Sequence, residues 1–364
     1  MQMNLHWLCL YTAAFAGAFA ISAVATMAVR RYSVKRGFLD RPLSEAHKRQ
    51  ERPIALGGGI AMLVATLVIA GVAAAALALE MPERLFKVQL STQIYLQNDL
   101  CRVIAILAGA ALAALLGLWD DVKHLKAHTK FAGQFAVAIV AVMLGGAQAS
   151  LFMPAPWMSM VLSLLWFVFM MNAVNFFDNM DGLAAGAITI AMIFFAITAG
   201  SNGQILITAL TVSAAGVAGG FWLFNRAPAT IYMGDSGSHL LGYFAALAAV
   251  MTTYISPDSA SKFPLVMPIL ILALPIFDAV TVCITRTLNG KPFWVGDNTH
   301  ISHRFELMGF SRAQAVALVH LFGTIFALGA LTLLWGDGRT TIIVLAQSAA
   351  LFVFMLAVQY GKRR

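Results

Sequence analysis

Long apolar runs limit what this 364-residue chain can fold into more than any other feature. About eleven of them approach the roughly 20 residues that a helix needs to cross a lipid bilayer. They cover residues 5–29, 54–79, 101–119, 131–149, 157–175, 183–199, 203–224, 238–255, 263–285, 314–335 and 340–360. Only 11% of the residues are charged, against about a quarter in soluble domains. We therefore predict an all-α fold, a polytopic membrane bundle of about eleven transmembrane helices.

The apolar runs follow one another without an internal repeat and without a loop of soluble-domain size. We therefore expect residues 1–364 to form a single integral-membrane domain. Arg30 and Arg31 follow the first run, and no basic region precedes it. This pattern is typical of a retained membrane helix rather than of a cleaved signal peptide.

The positions of the basic residues predict the orientation in the membrane. Lys and Arg are enriched in cytoplasmic loops. If loop 30–53 is cytoplasmic and the spans alternate, only five of the 24 Lys and Arg residues lie outside, namely Arg84, Lys87, Arg102, Lys262 and Arg339. The N-terminus is then outside and the C-terminus cytoplasmic. Topology accounts for the net charge of +8, so we expect no nucleic-acid partner.

A polar stretch between two apolar runs is the strongest candidate for a functional site. Residues 172–186 read NAVNFFDNMDGLAAG. Ionisable groups at the end of a membrane helix are costly, which makes them a functional hypothesis by default. Asn175, Asp178 and Asp181 are spaced three apart, so on helical backbone they would share one face. A polar cap that joins two helices is the alternative, but so many Asn and Asp residues favour a site.

Two further acidic motifs fall on the same predicted cytoplasmic face. Asp120 and Asp121 end the third run, where paired carboxylates suit a divalent cation or a general base; a solvated helix end is the alternative. The segment 234–238 reads GDSGS. Its backbone N–H groups could hold phosphate oxygens while Asp235 binds a metal; a glycine-rich turn with a Ser cap is the alternative.

Basic residues on the same face predict an anionic ligand. His300, His303 and Arg304 favour phosphate binding over a zinc site, because no cysteine or third histidine is near; contact with anionic lipid head groups is the alternative. Lys48 could bind an anionic substrate or simply mark topology. Asp278 is expected either to support the site or to pair with Arg286.

Carboxylates together with basic groups are what a magnesium-assisted phosphoryl or phosphosugar transfer needs. The apolar bundle beside them would offer a groove for a lipid substrate. A secondary transporter is the alternative from another class. Transporters place their sites near the bilayer midplane, within repeated halves; here the acids lie at span ends and we find no repeat.

On these motifs, from Asp40 to about Val316, the chain resembles the bacterial polyprenyl-phosphate N-acetylhexosamine-1-phosphate transferases. Their superfamily includes the phospho-MurNAc-pentapeptide transferase of peptidoglycan synthesis, which is the nearest alternative. The resemblance implies transfer of a sugar 1-phosphate, with GlcNAc favoured, from a UDP-sugar to undecaprenyl phosphate, with release of UMP. It also implies Mg²⁺, or Mn²⁺ in its place, an active site on the cytoplasmic face of the inner membrane, and a homodimer as one option for assembly.

The resemblance also implies roles for individual residues. The catalytic set is Asp120, Asp121, Asp178, Asp181 and His303; the substrate-binding set is Asn172, Asn175, Lys48, Lys130, His300 and Arg304; the metal ligands are Asp235 and Asp181. Asp120 or Asp121 would free the lipid phosphate to attack the UDP-sugar directly, or would form a covalent phosphosugar intermediate; both routes stay open. The chain departs from the family at His124 and at Ser302, where many relatives have an acid or amide and a histidine, respectively.

Overall fold

The computed structural model describes residues 5–40, 53–86, 92–149, 155–255, 263–290, 292 and 300–361. These residues form helices almost throughout. The helices are α1 Leu5–Arg36, α2 Gly58–Ala78, α3 Met81–Phe86, α4 Thr92–Lys123, α5 Ala127–Ile139, α6 Pro156–Phe177, α7 Leu183–Ser201, α8 Ile205–Asn225, α9 Gly234–Met251, α10 Met267–Ile271, α11 Ala273–Leu288, α12 Ile301–Leu307, α13 Arg312–Thr332 and α14 Gly338–Tyr360. A π-helical turn over Val140–Leu144 continues α5, and a 3₁₀ turn over Phe263–Val266 precedes α10.

The membrane character predicted from the apolar runs agrees with these helices. Within the described ranges, nine helices are long and apolar enough to cross a membrane, and a tenth candidate is the bent pair Pro264–Ile271 and Ala273–Leu288, which meet at 67°. Each of the predicted runs overlaps a helix or this pair. Helix α9 is not among the ten, because its first turns are polar. The protein is a polytopic helical membrane protein.

Helix α9 lies at the centre of the bundle. It packs against α2, α4, α6, α7 and α8, and all but its first two residues and Met251 are buried. Membrane helices approach closely where small residues line the contact. An added Cβ at Gly242 would lie 2.6 Å from the Cα of Met171 on α6. The polar N-terminus of α9 therefore stands at one end of the bundle, surrounded by the ends of its neighbours.

A short two-stranded sheet precedes α2, and its second strand is hydrogen-bonded to the loop that leads into α9. Strands β1 (Leu39–Asp40) and β2 (Ile54–Ala55) pair antiparallel. The backbone N–H of Tyr232 donates to the carbonyl of Ala55 at 2.8 Å, and the N–H of Gly58 donates to the carbonyl of Tyr232 at 3.0 Å. These bonds satisfy backbone groups that would otherwise be buried without partners, and they fix the loop that leads into α9.

Candidate active site

The two adjacent acids at the end of α4 have different environments. Both oxygens of Asp121 accept backbone N–H groups at the start of α9, from Asp235 at 2.7 Å and from Ser236 at 3.1 Å. A carboxylate in this position satisfies helix N–H groups that lack intrahelical partners. Gly234 has φ +67°, and a Cβ there would lie 2.6 Å from the Asp121 carboxylate. Asp121 therefore anchors α9 at a point that only glycine fits.

Two glycines bring neighbouring helices into backbone contact at this point. A Cβ at Gly117, on α4, would lie 2.2 Å from the carbonyl oxygen of Asp235. A Cβ at Gly59, on α2, would lie 2.3 Å from the backbone nitrogen of Gly237. Neither space can be opened by moving a side-chain tip, since the opposing atoms are backbone. The position of the α9 N-terminus therefore depends on these glycines.

The carboxylate of Asp235 is the centre of a charged cluster. Lys130 Nζ contacts it and lies 2.7 Å from Asp120 Oδ2, so the lysine bridges the two acids. Asn175 Nδ2 donates to Asp235 Oδ1 at 2.8 Å and to the Ser238 hydroxyl at 2.9 Å. The structure thus brings together four of the predicted site residues from α4, α5, α6 and α9.

Asp178 and Asp181 lie in the loop between α6 and α7, beside this cluster. Asp181 Oδ2 accepts the backbone N–H of Ala229 at 2.8 Å, whereas the carboxylate of Asp178 has no hydrogen-bond or ion-pair partner within the described chain. Burial, together with the negative charges of Asp235, Asp181 and Asp121, raises the pKa of Asp178 to about 8. Asp178 is therefore a buried acid under like-charge stress, which no cation among the described residues relieves by contact.

The 178–182 loop is held from two sides. Asn225 Oδ1 accepts the N–H of Gly182 at 3.1 Å, and its amide donates to the carbonyl of Ile231 at 3.0 Å. Asn225 thereby joins this loop to the loop that precedes α9. On the other side, the hydroxyl of Ser302 donates to Asn179 Oδ1, which joins the loop to α12. Asn225 and Asn179 were not among the predicted site residues.

The histidine segment is positioned by a buried acid on α11. His300 Nδ1 lies 2.6 Å from Asp278 Oδ2, and the other oxygen of Asp278 accepts the N–H of Ile301 at 3.0 Å. Asp278 is fully buried and His300 is 4% exposed. Of the two roles predicted for Asp278, the supporting one agrees with this geometry. His300 is therefore held rigidly by its neighbour.

His303 lies one turn further along, with its ring centroid 6.3 Å from that of His300. Its Nδ1 lies 3.3 Å from Glu306, which also accepts from Arg312 Nε at 3.2 Å. Burial opposes ionisation of Glu306, but the hydrogen bonds from His303 and Arg312 lower its pKa. Glu306 is thus an ionised acid that can hold His303 in place.

Asn172 and Lys48 were predicted to bind substrate, and the structure places neither of them in the charged cluster. Asn172 lies one helical turn from Asn175 on α6, where its amide is engaged with Gln134 at 2.7 Å and with the carbonyl of Val168 at 2.7 Å. Lys48 lies outside the described residues. The sequence analysis also missed Gln134 and His239, which form a buried network beneath Asp235. Their only signal was a polar side chain within an apolar helix.

The donor set can be compared with the needs of a divalent cation. Among the described His, Cys, Asp and Glu residues, no group of three or more could hold a metal by itself. Mg²⁺ usually takes one or two carboxylates and completes its shell with waters and substrate phosphates. Asp178 and Asp235 can supply those oxygens, and a cation would relieve the like-charge stress at Asp178. The residues present therefore fit Mg²⁺.

Comparison with known proteins decides the family. Residues 103–253 match glycosyl transferase family 4. The chain is 34% identical to the probable undecaprenyl-phosphate N-acetylglucosaminyl 1-phosphate transferase of Bacillus subtilis, over 85% of this chain and 81% of that protein. The chain belongs to the polyprenyl-phosphate N-acetylhexosamine-1-phosphate transferase family. The family predicted from the motifs is thereby confirmed.

Other relatives come from both branches of the superfamily. The decaprenyl-phosphate N-acetylglucosaminephosphotransferase of Mycobacterium tuberculosis is 32% identical over 66% of both chains. The phospho-N-acetylmuramoyl-pentapeptide-transferase of Lacticaseibacillus paracasei is 32% identical over 59% of this chain. The matched family region, 103–253, contains Asp120, Asp121, Lys130 and Asp235. The charged cluster therefore lies inside the segment that defines the family.

Proposed function

We propose that this protein transfers N-acetylglucosamine 1-phosphate from a UDP-sugar to undecaprenyl phosphate and releases UMP, as the first step of a cell-envelope polysaccharide. The observation that carries the proposal is the bridge formed by Lys130 between Asp120 and Asp235. Beside it lies Asp178, whose carboxylate has no partner among the described residues. Such a cluster can bind two phosphate groups only if cations balance the acids. Lys130 provides one such charge within the protein.

In this proposal each acid has its own task. Asp121 holds the N-terminus of α9, because both of its oxygens are committed there. Asp120, paired with Lys130 at 2.7 Å, takes the remaining proton of the lipid phosphate. An oxygen of the lipid phosphate then forms a bond to the sugar-bearing phosphorus, and the bond from that phosphorus to UMP breaks. Direct attack by the lipid phosphate is the route that we propose; a covalent phosphosugar intermediate on Asp120 is the alternative, and isolation of a phosphosugar-labelled enzyme would identify it.

The remaining residues bind the donor. His303 and Arg304 contact the diphosphate, and the dyad of His300 with Asp278 fixes the helix that carries them. Asp181, beside Ala229, faces the nucleotide side of the site. Asp178 and Asp235 would hold Mg²⁺, which supplies positive charge to the phosphate oxygens during transfer.

We further propose that the protein crosses the inner membrane eleven times, with α9 as the additional span. The cluster would face the cytoplasm, where UDP-sugars are made. Arg30, Arg31, Lys35 and Arg36 support this orientation, because they lie in the last two turns of α1, at the end that leads into β1. The undecaprenyl chain would lie against the apolar helix surfaces in the bilayer.

A donor panel tests the proposal. Purified protein is supplied with undecaprenyl phosphate, Mg²⁺ and either UDP-GlcNAc, UDP-GalNAc or UDP-MurNAc-pentapeptide, and lipid-linked product is measured. We expect product from UDP-GlcNAc only when the lipid phosphate is present. Product from the MurNAc-pentapeptide donor alone would assign the protein to the peptidoglycan branch instead. No product from any of these UDP-sugars, with folded protein, would contradict the proposal.

A further inference from the structure

A largely buried polar network lies one helical turn beneath the charged cluster. It contains one side chain from each of three helices: Gln134 from α5, Asn172 from α6 and His239 from α9. Gln134 and His239 are 0% exposed. Three polar side chains in the interior of a membrane bundle are costly unless their hydrogen bonds are complete. Neither Gln134 nor His239 has an assigned role in the transfer proposed above.

The hydrogen bonds of this network define the tautomer of the histidine. Nδ1 of His239 lies 2.7 Å from the carbonyl oxygen of Asp235, which can only accept, so Nδ1 carries the proton. Nε2 is then an acceptor, and Gln134 Nε2 donates to it at 2.9 Å. Gln134 and Asn172 exchange amide hydrogen bonds at 2.7 and 3.2 Å. With the imidazole neutral, every polar atom of the three side chains therefore has a hydrogen-bond partner.

The network repeats the connections of the cluster above it. Gln134 follows Lys130 by four residues on α5, and His239 follows Asp235 by four residues on α9. These spacings place each pair on one helical face. In the upper layer Lys130 contacts Asp235; in the lower layer Gln134 bonds to His239. The same two helices are thus joined twice, once by charge and once by neutral hydrogen bonds.

The third helix, α6, is also joined at both levels, but to a different neighbour at each. Asn172 precedes Asn175 by three residues on α6. Asn175 donates to the Asp235 carboxylate, while Asn172 bonds to Gln134. The upper layer therefore joins α6 to α9, and the lower layer joins α6 to α5. The lower layer has no charge of its own to offer a ligand.

We infer that Gln134, Asn172 and His239 are positioning residues, which hold the Asp235 carboxylate in register with Lys130 and Asn175 for the phosphosugar transfer. This inference rests on the proposed function. It gives Asn172 a supporting task in place of the substrate contact predicted from the sequence, because both groups of its amide are taken up below the site. Loss of the network would let α9 shift relative to α5, and would separate the groups that bind phosphate.

The test compares variants of the network with a matched control. Gln134→Leu and His239→Leu remove the tie between α5 and α9. His239→Asn keeps a donor near the position of ring Nδ1. The control is Gln204→Leu: Gln204 ties the opposite end of α9, donating to the carbonyl of Met251 at 3.0 Å and accepting from Thr253 N at 2.6 Å. Transfer kinetics, thermal unfolding and Mn²⁺ binding followed by electron paramagnetic resonance are measured on each purified full-length protein.

We expect Gln134→Leu and His239→Leu to lower turnover by about tenfold, the effect of a lost buried hydrogen bond, and to weaken Mn²⁺ binding, with an unchanged KM for UDP-GlcNAc. His239→Asn should retain most of the wild-type turnover and most of the Mn²⁺ affinity. Gln204→Leu should lower the unfolding temperature without changing turnover or Mn²⁺ binding. If Gln134→Leu and His239→Leu behave as Gln204→Leu does, the network is only structural. Inactive wild-type protein would instead contradict the proposed function, and the Mn²⁺ measurement would still decide the inference.

Discussion

Asp235→Asn is expected to lower the rate of lipid-linked product formation by about 100-fold or more, which corresponds to ~2.7 kcal/mol of transition-state stabilisation. The substitution keeps the size of the side chain and removes its charge. Asp235 is the acid that contacts both Lys130 and Asn175, so its charge holds the lysine and offers a ligand to Mg²⁺. The initial rate with labelled UDP-GlcNAc is the measurement.

The matched control for this substitution is Asp337→Asn. Asp337 caps α14 by accepting the N–H of Thr340 at 2.9 Å, and Asn is an equally good cap. Asp337→Asn should therefore leave transfer unchanged. Thermal unfolding of both variants separates loss of chemistry from loss of fold. A rate for Asp235→Asn within about threefold of wild type would remove Asp235 from the proposed machinery.

Gly117→Ala is expected to lower the transfer rate at least about tenfold, although it adds only a single methyl group. That methyl would lie 2.2 Å from the carbonyl oxygen of Asp235, so α4 and the start of α9 must separate. Overpacking of this kind costs about 1–3 kcal/mol, and here the displaced backbone also carries the N–H groups that Asp121 accepts. Transfer rate and unfolding temperature are measured together.

Gly71→Ala serves as the comparison for Gly117→Ala. Gly71 lies within α2, and a Cβ there would meet nothing within 4 Å. The substitution should leave activity intact, since alanine is favoured over glycine in a helix. If Gly117→Ala transfers sugar phosphate as fast as Gly71→Ala does, the close contact between α4 and α9 is not needed for the site.

The bundle could be predicted from the sequence because apolar length is a local property. Each predicted run needed only its own residues, and each overlaps a helix. For α9 the predicted run 238–255 covers only the apolar part, because the helix begins four residues earlier, in the polar residues from Gly234. The 67° bend between α10 and α11 was not predicted, because the apolar run 263–285 continues through it without a change in composition.

The motifs identified the acids but not their different tasks. Asp120 and Asp121 are adjacent, yet one pairs with Lys130 and the other caps α9, a helix that begins more than one hundred residues later. Gly117 was not among the predicted site residues. The tie between Gln134 and His239 spans 105 positions. Contacts at such separations follow from the packing of whole helices, which no local pattern in one sequence contains.

The histidine segment shows the same division. His300 and His303 were predicted as phosphate binders. For Asp278 two roles were open, support of the site or pairing with Arg286. The hydrogen bond of 2.6 Å between Asp278 and His300 favours support of the site. The role of Glu306 was not foreseen, because its contact with His303 needs the helical turn of α12.

The central claim is that sugar and phosphate move together to the lipid. The most direct measurement uses UDP-GlcNAc with radioactive phosphorus at the sugar-bearing phosphate and tritium in the sugar, together with undecaprenyl phosphate and Mg²⁺. The account predicts that both labels enter the lipid in equal amounts and that UMP is released in the same amount. Tritium in the lipid with release of labelled UDP, or no labelled lipid from folded protein, would contradict it.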